Sequence, residues 1–160
     1  MNPLLQSVQV ALQNDTQTEA IDFMDRVVDF CINRENGKVL DGWPRDMIQL
    51  LVAYHIAKDT FISEQDAEGN IRGIYMWYNC NEEDDWMFVR NWIQDDPDGN
   101  AIFMAFVFSD NTKTFKQITN RFIAKCPEAM QKKLLGVRYR KHKPTKVEYT
   151  TKLFKKILSI

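Results

Sequence analysis

Apolar and polar residues alternate along this chain with two different periods, and each stretch of constant period predicts an element. Ala20, Phe23, Met24, Val27 and Cys31 recur at helical spacing and predict a helix over about 17–33. Thr16 and Glu19 stand at capping-box spacing ahead of it, and Asn36-Gly37 supplies a stop. Over about 44–58, Met47, Ile48, Leu50, Leu51, Val52, Tyr54 and Ile56 leave little polar face, which predicts a helix buried on most sides. Pro44 suits its first position, where the absent N–H would have no partner. Thr60–Gln65 and Ile71–Asn79 then read as a hairpin around Asp66-Ala67-Glu68-Gly69-Asn70. The second strand, IRGIYMWYN, is apolar on both faces and so internal to a sheet, and Ala101–Phe108 is a near-continuous apolar run suited to a central strand. A helix over about 111–126 carries Phe115, Ile118, Phe122 and Cys126 on one stripe and Lys113, Lys116 and Lys125 on another, with Pro127 closing it. Leu134–Arg140 is a last clear strand, Leu135, Val137 and Tyr139 facing one way and Arg138 and Arg140 the other. The tail from about 145 to 158 is amphipathic, with Phe154, Ile157 and Leu158 set against Lys152, Lys155 and Lys156.

Two stretches keep two readings. Residues 4–12 fit a helical stripe or a strand, and WMFVRNWI, between an acidic loop and the DDPDGN turn, fits a strand or a short helix. The order of elements predicts an α+β fold with a mixed, mainly antiparallel sheet flanked by helices. With 160 residues, no internal repeat and no low-complexity linker, a single domain over 1–160 is expected.

Composition narrows the class. An apolar fraction of 44% with 12% aromatics suits a folded core. No apolar run reaches the roughly 18 residues that cross a bilayer. The opening MNPLLQSVQVALQ has no basic n-region, so a cytoplasmic protein is expected, or a virion component if the chain is phage-encoded. Cys31, Cys80 and Cys126 are odd in number and widely spaced, as buried reduced thiols are. His55 and His142 share no ligand motif, and no metal is expected.

Charge adds the strongest asymmetry. Residues 1–110 hold 7 of the 21 Lys+Arg and 20 of the 22 Asp+Glu, whereas 111–160 hold the other 14 basic residues against Glu128 and Glu148 alone. The formal net charge of −1 thus conceals an acidic part and a basic part, and a basic surface of this kind meets phosphates or an acidic partner. Arg138, Arg140, Lys141, His142, Lys143 and Lys146 crowd around Tyr139 and Tyr149, a mixture that grips phosphates and stacks on bases; Lys132, Lys133, Lys152, Lys155 and Lys156 extend it. A solubilising face paired with the acidic half accounts for the same residues.

The helix pair, the hairpin FISEQDAEGNIRGIYMW, the strand AIFMAFVF, the helix after SDNTKT and the strand LLGVRYR together resemble the GNAT-type N-acyltransferase fold, with its relatives among toxin-activating and phage-encoded acyltransferases. The resemblance covers about residue 17 to the end. It implies transfer of an acyl group from a thioester, acetyl-CoA or another, to an amine. It implies a donor near 108–116 met by Ser109, Asn111, Thr112, Lys113, Lys116, Arg138 and Arg140, a pantetheine arm between splayed strands, and Asp110 or Tyr149 in proton transfer. The family's acyl-CoA loop is usually basic and glycine-rich, and Ser109–Thr114 contains no glycine; toxin-activating relatives do without that loop and accept acyl groups from carrier protein. The alternative is a fold that has lost its donor, an accessory or structural protein of phage or virion type whose basic C-terminal face binds nucleic acid or an acidic protein. Phe106, Phe108 and Tyr139 would then close the groove.

The remaining candidates have plain explanations. Asp110 serves as an N-cap as readily as an acid or base. His55, on an apolar helix, reads as a core histidine before a general base. Asp95, Asp96, Asp98 and Asn100 faintly resemble a calcium loop, but Ala101 stands where its glycine belongs, so a solvated turn is expected.

Overall fold

The structure is a computed structural model that describes Pro3 and residues 17–33, 40, 42–84, 95–140 and 143–158, of which 17, 18, 139, 140, 143, 144, 151, 154, 157 and 158 are described by backbone alone. The readings made for 4–12, Thr16, Asn36-Gly37 and WMFVRNWI lie outside these residues. Helices α1 (Gln17–Ile32) and α2 (Arg45–Ala57) precede the hairpin of β1 (Phe61–Gln65) and β2 (Ile71–Cys80). Then come β3 (Ala101–Ser109), α3 (Thr112–Lys125), a 3₁₀ turn at Pro127–Met130, β4 (Lys133–Arg140), β5 (Lys143–Tyr149) and α4 (Thr151–Leu158). The class is α+β. One sheet, ordered β1-β2-β3-β4-β5, is antiparallel except where β3 and β4 run parallel across the α3 crossover.

One element departs from the sequence reading. The tail expected to be amphipathic from about 145 begins as β5, and only Thr151–Leu158 is helical. Thr145, Val147 and Tyr149 alternate with Pro144, Lys146 and Glu148, and a short Lys- and Pro-bearing strand suits a sheet edge. Pro44 sits one residue ahead of the first helical residue of α2, and Leu50 on that helix is exposed instead of buried.

Alternation along the strands sends two sets of side chains into two helical layers. Ile74, Met76, Phe106 and Phe108 pack with Val27, Val28, Ile48, Leu51 and Val52 of α1 and α2. On the other face, Tyr75, Trp77, Ile102, Met104 and Leu134 pack with Ile118 and Phe122 of α3. A bulge reconciles the register: Met76 lies opposite Phe106 and Trp77 opposite Met104, so Ala105 is the extra residue on β3. It shifts the parity, and Phe103 and Phe106 both turn to the α1–α2 side. The three cysteines are buried and unbridged, and burial pushes the Cys31 thiol up to about 12 and those of Cys80 and Cys126 to about 11.

The β1–β2 turn is held by a single carboxylate. Asp66 accepts from the N–H groups of Glu68 (3.0 Å) and Asn70 (2.9 Å), from Asn70 Nδ2 (3.0 Å) and from Arg72 (Nε at 3.0 Å and a terminal nitrogen at 2.8 Å). Gly69 takes φ +82, which a side chain would resist, and its carbonyl accepts from Arg26 at 2.7 Å. The hydrogen bonds of Asn70, with Arg72 adding to them, hold the Asp66 carboxyl down at about 2. A depressed carboxyl contributes stability that is complete above its unfolded value and disappears as pH falls through about 2. Asp66→Asn should therefore lower the unfolding midpoint at pH 5–7, with the difference from the parent shrinking towards pH 2; a pH-independent difference in urea titrations would contradict this role.

Candidate functional site

β3 and β4 run together only in part. Their ladder pairs Ala101 with Lys133 through Met104 with Gly136, and no further pair joins the two strands among the described residues. β4 continues to Arg140 along β5, from Leu134 opposite Tyr149 to Arg140 opposite Lys143. β3 continues to Ser109 along β2. The parallel strands thus part immediately above the bulge at Ala105, and half-buried Ala105, Val107 and Val137 border the parting. Phe106 and Phe108, the side chains that would close a groove, are committed to the α1–α2 core; Tyr139 is described by backbone alone.

The amino end of α3 stands at the top of this parting. Its N-cap is Asn111, whose Oδ1 accepts from the Thr114 N–H at 2.9 Å, and not the neighbouring Asp110. A carboxylate at 110 would have to turn back past Asn111 to cap the helix, and it is held elsewhere. Asp110 Oδ2 accepts from Arg72 at 3.1 Å, and its N–H donates to the Arg72 carbonyl at 2.9 Å. Ser109, Asn111, Thr112 and Lys113 follow one another around this end with Lys116 one turn later; Thr112 and Lys113 are exposed and Lys116 half-buried. The first N–H groups of a helix have no intrahelical acceptor and carry partial positive charge.

Tyr149 and Arg138 meet at the foot of the same parting. The Arg138 guanidinium carbon lies 5.6 Å from the centre of the Tyr149 ring. That ring covers Gly136, where an added Cβ would come within 2.5 Å of Cε2. Arg140 lies two residues further along β4, at the parted end, by backbone. The two residues expected to move protons are not brought together. Tyr149 is level with Leu134 and Ile102, whereas Asp110 follows the end of β3, about 25 Å along the strand at about 3.3 Å per residue. Asp110 instead lines a cleft of about 410 Å³ with Arg26, Asp29, Phe30, Asn33, Asn70 and Ile71.

Much of the basic C-terminal part is paired within the molecule. Lys125 reaches Asp59 at 2.6 Å, Arg121 reaches Glu64 at 2.8 Å, and Lys133 pairs with Glu82. Lys132 and Lys146 donate to the carbonyls of Pro97 (3.3 Å) and Glu82 (3.2 Å). The turn at Asp95–Asn100 uses its carboxylates internally: Asp95 accepts from the Asn79 N–H at 2.7 Å, and Asp96 from Asn81 Nδ2 at 3.0 Å. Among the described residues no group of three or more His, Cys, Asp or Glu is placed to hold a metal ion, and no helix is long and apolar enough to cross a membrane.

His55 is fully buried, and its Nδ1 shares a 2.9 Å hydrogen bond with Thr60 Oγ1; Nε2 has no partner among the described residues. The ring sits 4.6 Å from that of Tyr78, which packs with Phe103, Ala105 and Val137. Sequence reasoning missed two residues that shape the site. Gly136 had a signal, as the one glycine inside LLGVRYR; the bulge at Ala105 had none, because its run is apolar on both faces. No family model matches the chain, and no curated protein matches it.

Two measurements check this geometry. Gly136→Ala should displace the Tyr149 ring and cost about 1–3 kcal/mol in urea unfolding, and an unchanged midpoint would contradict the contact. Burial pushes His55 down to about 3 from 6.5, so the unfolded chain takes up the proton first as pH falls. Stability is then lost on descending through 6.5 towards 3, about 2 kcal/mol of it by pH 5. His55→Leu should lack that part of the loss.

Proposed function

We propose that the chain is an N-acyltransferase of GNAT-like type, moving an acyl group from a thioester to an amine. One observation carries the reading: β3 and β4, parallel and joined for four residue pairs, part just above a bulge while a helix begins at the top of the parting. Parted strands offer unpaired backbone N–H and C=O groups to an amide-bearing arm, as a missing strand would. The amino end of α3, with Ser109, Thr112, Lys113 and Lys116, and the basic strand end at Arg138 and Arg140, suit the donor's phosphates. The reaction is direct. The amine nitrogen attacks the thioester carbonyl carbon, a backbone N–H at the bulge meets the developing oxyanion, the C–S bond breaks, and the proton lost by the amine ends on the departing sulfur. Tyr149, at the foot of the parting, is the group for that proton.

A second reading has its own observation. The Thr114 N–H, which a phosphate would use, is already taken by Asn111, and no glycine opens the loop. That arrangement suits a non-catalytic binding protein whose basic face takes nucleic acid.

Calorimetry with acetyl-CoA and with a single-stranded 20-nucleotide DNA separates the two. The acyltransferase binds acetyl-CoA and acetylates an amine, and Lys113→Glu/Lys116→Glu weakens binding at least tenfold, about 1.4 kcal/mol, without lowering the melting temperature. Tyr149→Phe should reduce kcat with KM little changed. Binding of the oligonucleotide alone, abolished by salt, would replace this reading with the second.

A further inference from the structure

The two charged parts lie on opposite faces of the sheet. α1 carries Glu19, Asp22, Asp25 and Asp29 against one basic residue, Arg26. α3 and α4, packed against each other, carry Lys113, Lys116, Arg121, Lys125, Lys152, Lys155 and Lys156 and no acidic residue. α1 packs on the face that takes Ile74 and Met76, and α3 on the face that takes Tyr75 and Trp77. Layers spaced by about 10 Å on each side set the two helical surfaces roughly 20 Å apart, more than twice the Debye length of about 8 Å at 0.15 M salt. The ion pairs made by α3 and β4 reach β1, the β1 entry turn and the segment after β2, while Asp25 and Asp29 of α1 pair with Arg45 of α2 at 3.5 and 2.6 Å. The acidic face of α1 therefore finds no basic partner from the C-terminal part of its own molecule among the described residues.

That face has the shape and chemistry of a receptor for a basic helix. Glu19, Asp22, Asp25 and Arg26 line a shallow groove of about 610 Å³. Arg26 is turned onto the carbonyls of Gly69 (2.7 Å) and Asp22 (3.3 Å), and with Asp25 taken by Arg45, Glu19 and Asp22 are the groove's carboxylates with no ion pair among the described residues. The exposed large apolar residues of the described chain, Ile21, Ile32 and Leu50, are all on α1 and α2. On the opposite side, Lys152, Lys155 and Lys156 are exposed at helical spacing on α4.

We propose that the chain associates with itself head to tail, α4 of one copy docking across the acidic groove of α1 on the next. The two surfaces differ and lie on opposite faces, so the contact is heterologous and the assembly grows beyond a dimer. The proposal does not rest on acyl transfer, and it leaves Lys113 and Lys116 outside the contact.

Sedimentation velocity of the full chain from 10 to 500 µM, in 50 mM and 500 mM NaCl, tests it. At 50 mM the mean mass should rise with concentration past that of a dimer, and at 500 mM it should fall towards the monomer. Glu19→Lys/Asp22→Lys, and separately Lys152→Glu/Lys155→Glu, should each weaken association at least tenfold while keeping the parent's circular dichroism. Mixing the two variants should restore it, because each supplies the charge the other has reversed. A parent monomeric throughout the 50 mM series would overturn the proposal, as would association that neither charge reversal moves. So would a chain that stays monomeric alone and assembles only on a single-stranded oligonucleotide, which would assign α4 to nucleic acid.

Discussion

β3 lies between two helical layers and, among the described residues, pairs with β2 from Ala101 to Ser109 but with β4 only from Ala101 to Met104. A strand in that position must be apolar on both faces, and AIFMAFVF is. Extra length is absorbed at Ala105, where the bulge lets Phe103 and Phe106 reach the same layer. The short ladder goes with the connectivity: α3 returns the chain to the start of β3, β4 pairs there over Lys133–Gly136, and its later residues pair with β5. Core packing and the parted strands are thus two consequences of one arrangement.

Electrostatics divides along the same plane. Ion pairs tie the basic C-terminal part to β1, to Asp59 and to Glu82, which stitches β4 and α3 to the hairpin side of the molecule. Exposed pairs of this kind contribute little each, on the order of 0–1 kcal/mol. Their larger effect is to consume charge locally, as Arg45 does for Asp25 and Asp29, while Glu19 and Asp22 stay exposed on α1 and Lys152 and Lys155 on α4. A chain that is nearly neutral in sum therefore presents two strongly charged surfaces.

Much of the architecture was legible in the sequence because burial imposes period. The stripe Phe115, Ile118 and Phe122 marks α3, and Ile71–Cys80 announces its two buried faces. β5 was not recognised, although Thr145, Val147 and Tyr149 alternate, because lysines at 143, 146, 152, 155 and 156 read as one continuous wet face. The site was legible only where neighbours in sequence are neighbours in space, as at Ser109–Lys113. That Asp110 is tied to Arg72 and parted from Tyr149 depends on strand register, which no local pattern encodes. The cap shows the same limit: Asp110 and Asn111 are equally good capping residues by type, and only the chain's direction out of β3 selects Asn111.

The central claim is that Ala105–Phe108, the upper part of β3, has no strand partner on its β4 side among the described residues. Hydrogen exchange followed by NMR reads it directly, amide by amide. Amides within Ala101–Met104 and Lys133–Gly136 should exchange slowly. Those of Ala105–Phe108 that point away from β2 should exchange much faster in the protein alone and become protected when a non-reactive acetyl-CoA analogue is added. Uniformly slow exchange along the whole of β3 without ligand would show that the edge is already occupied and would contradict the account.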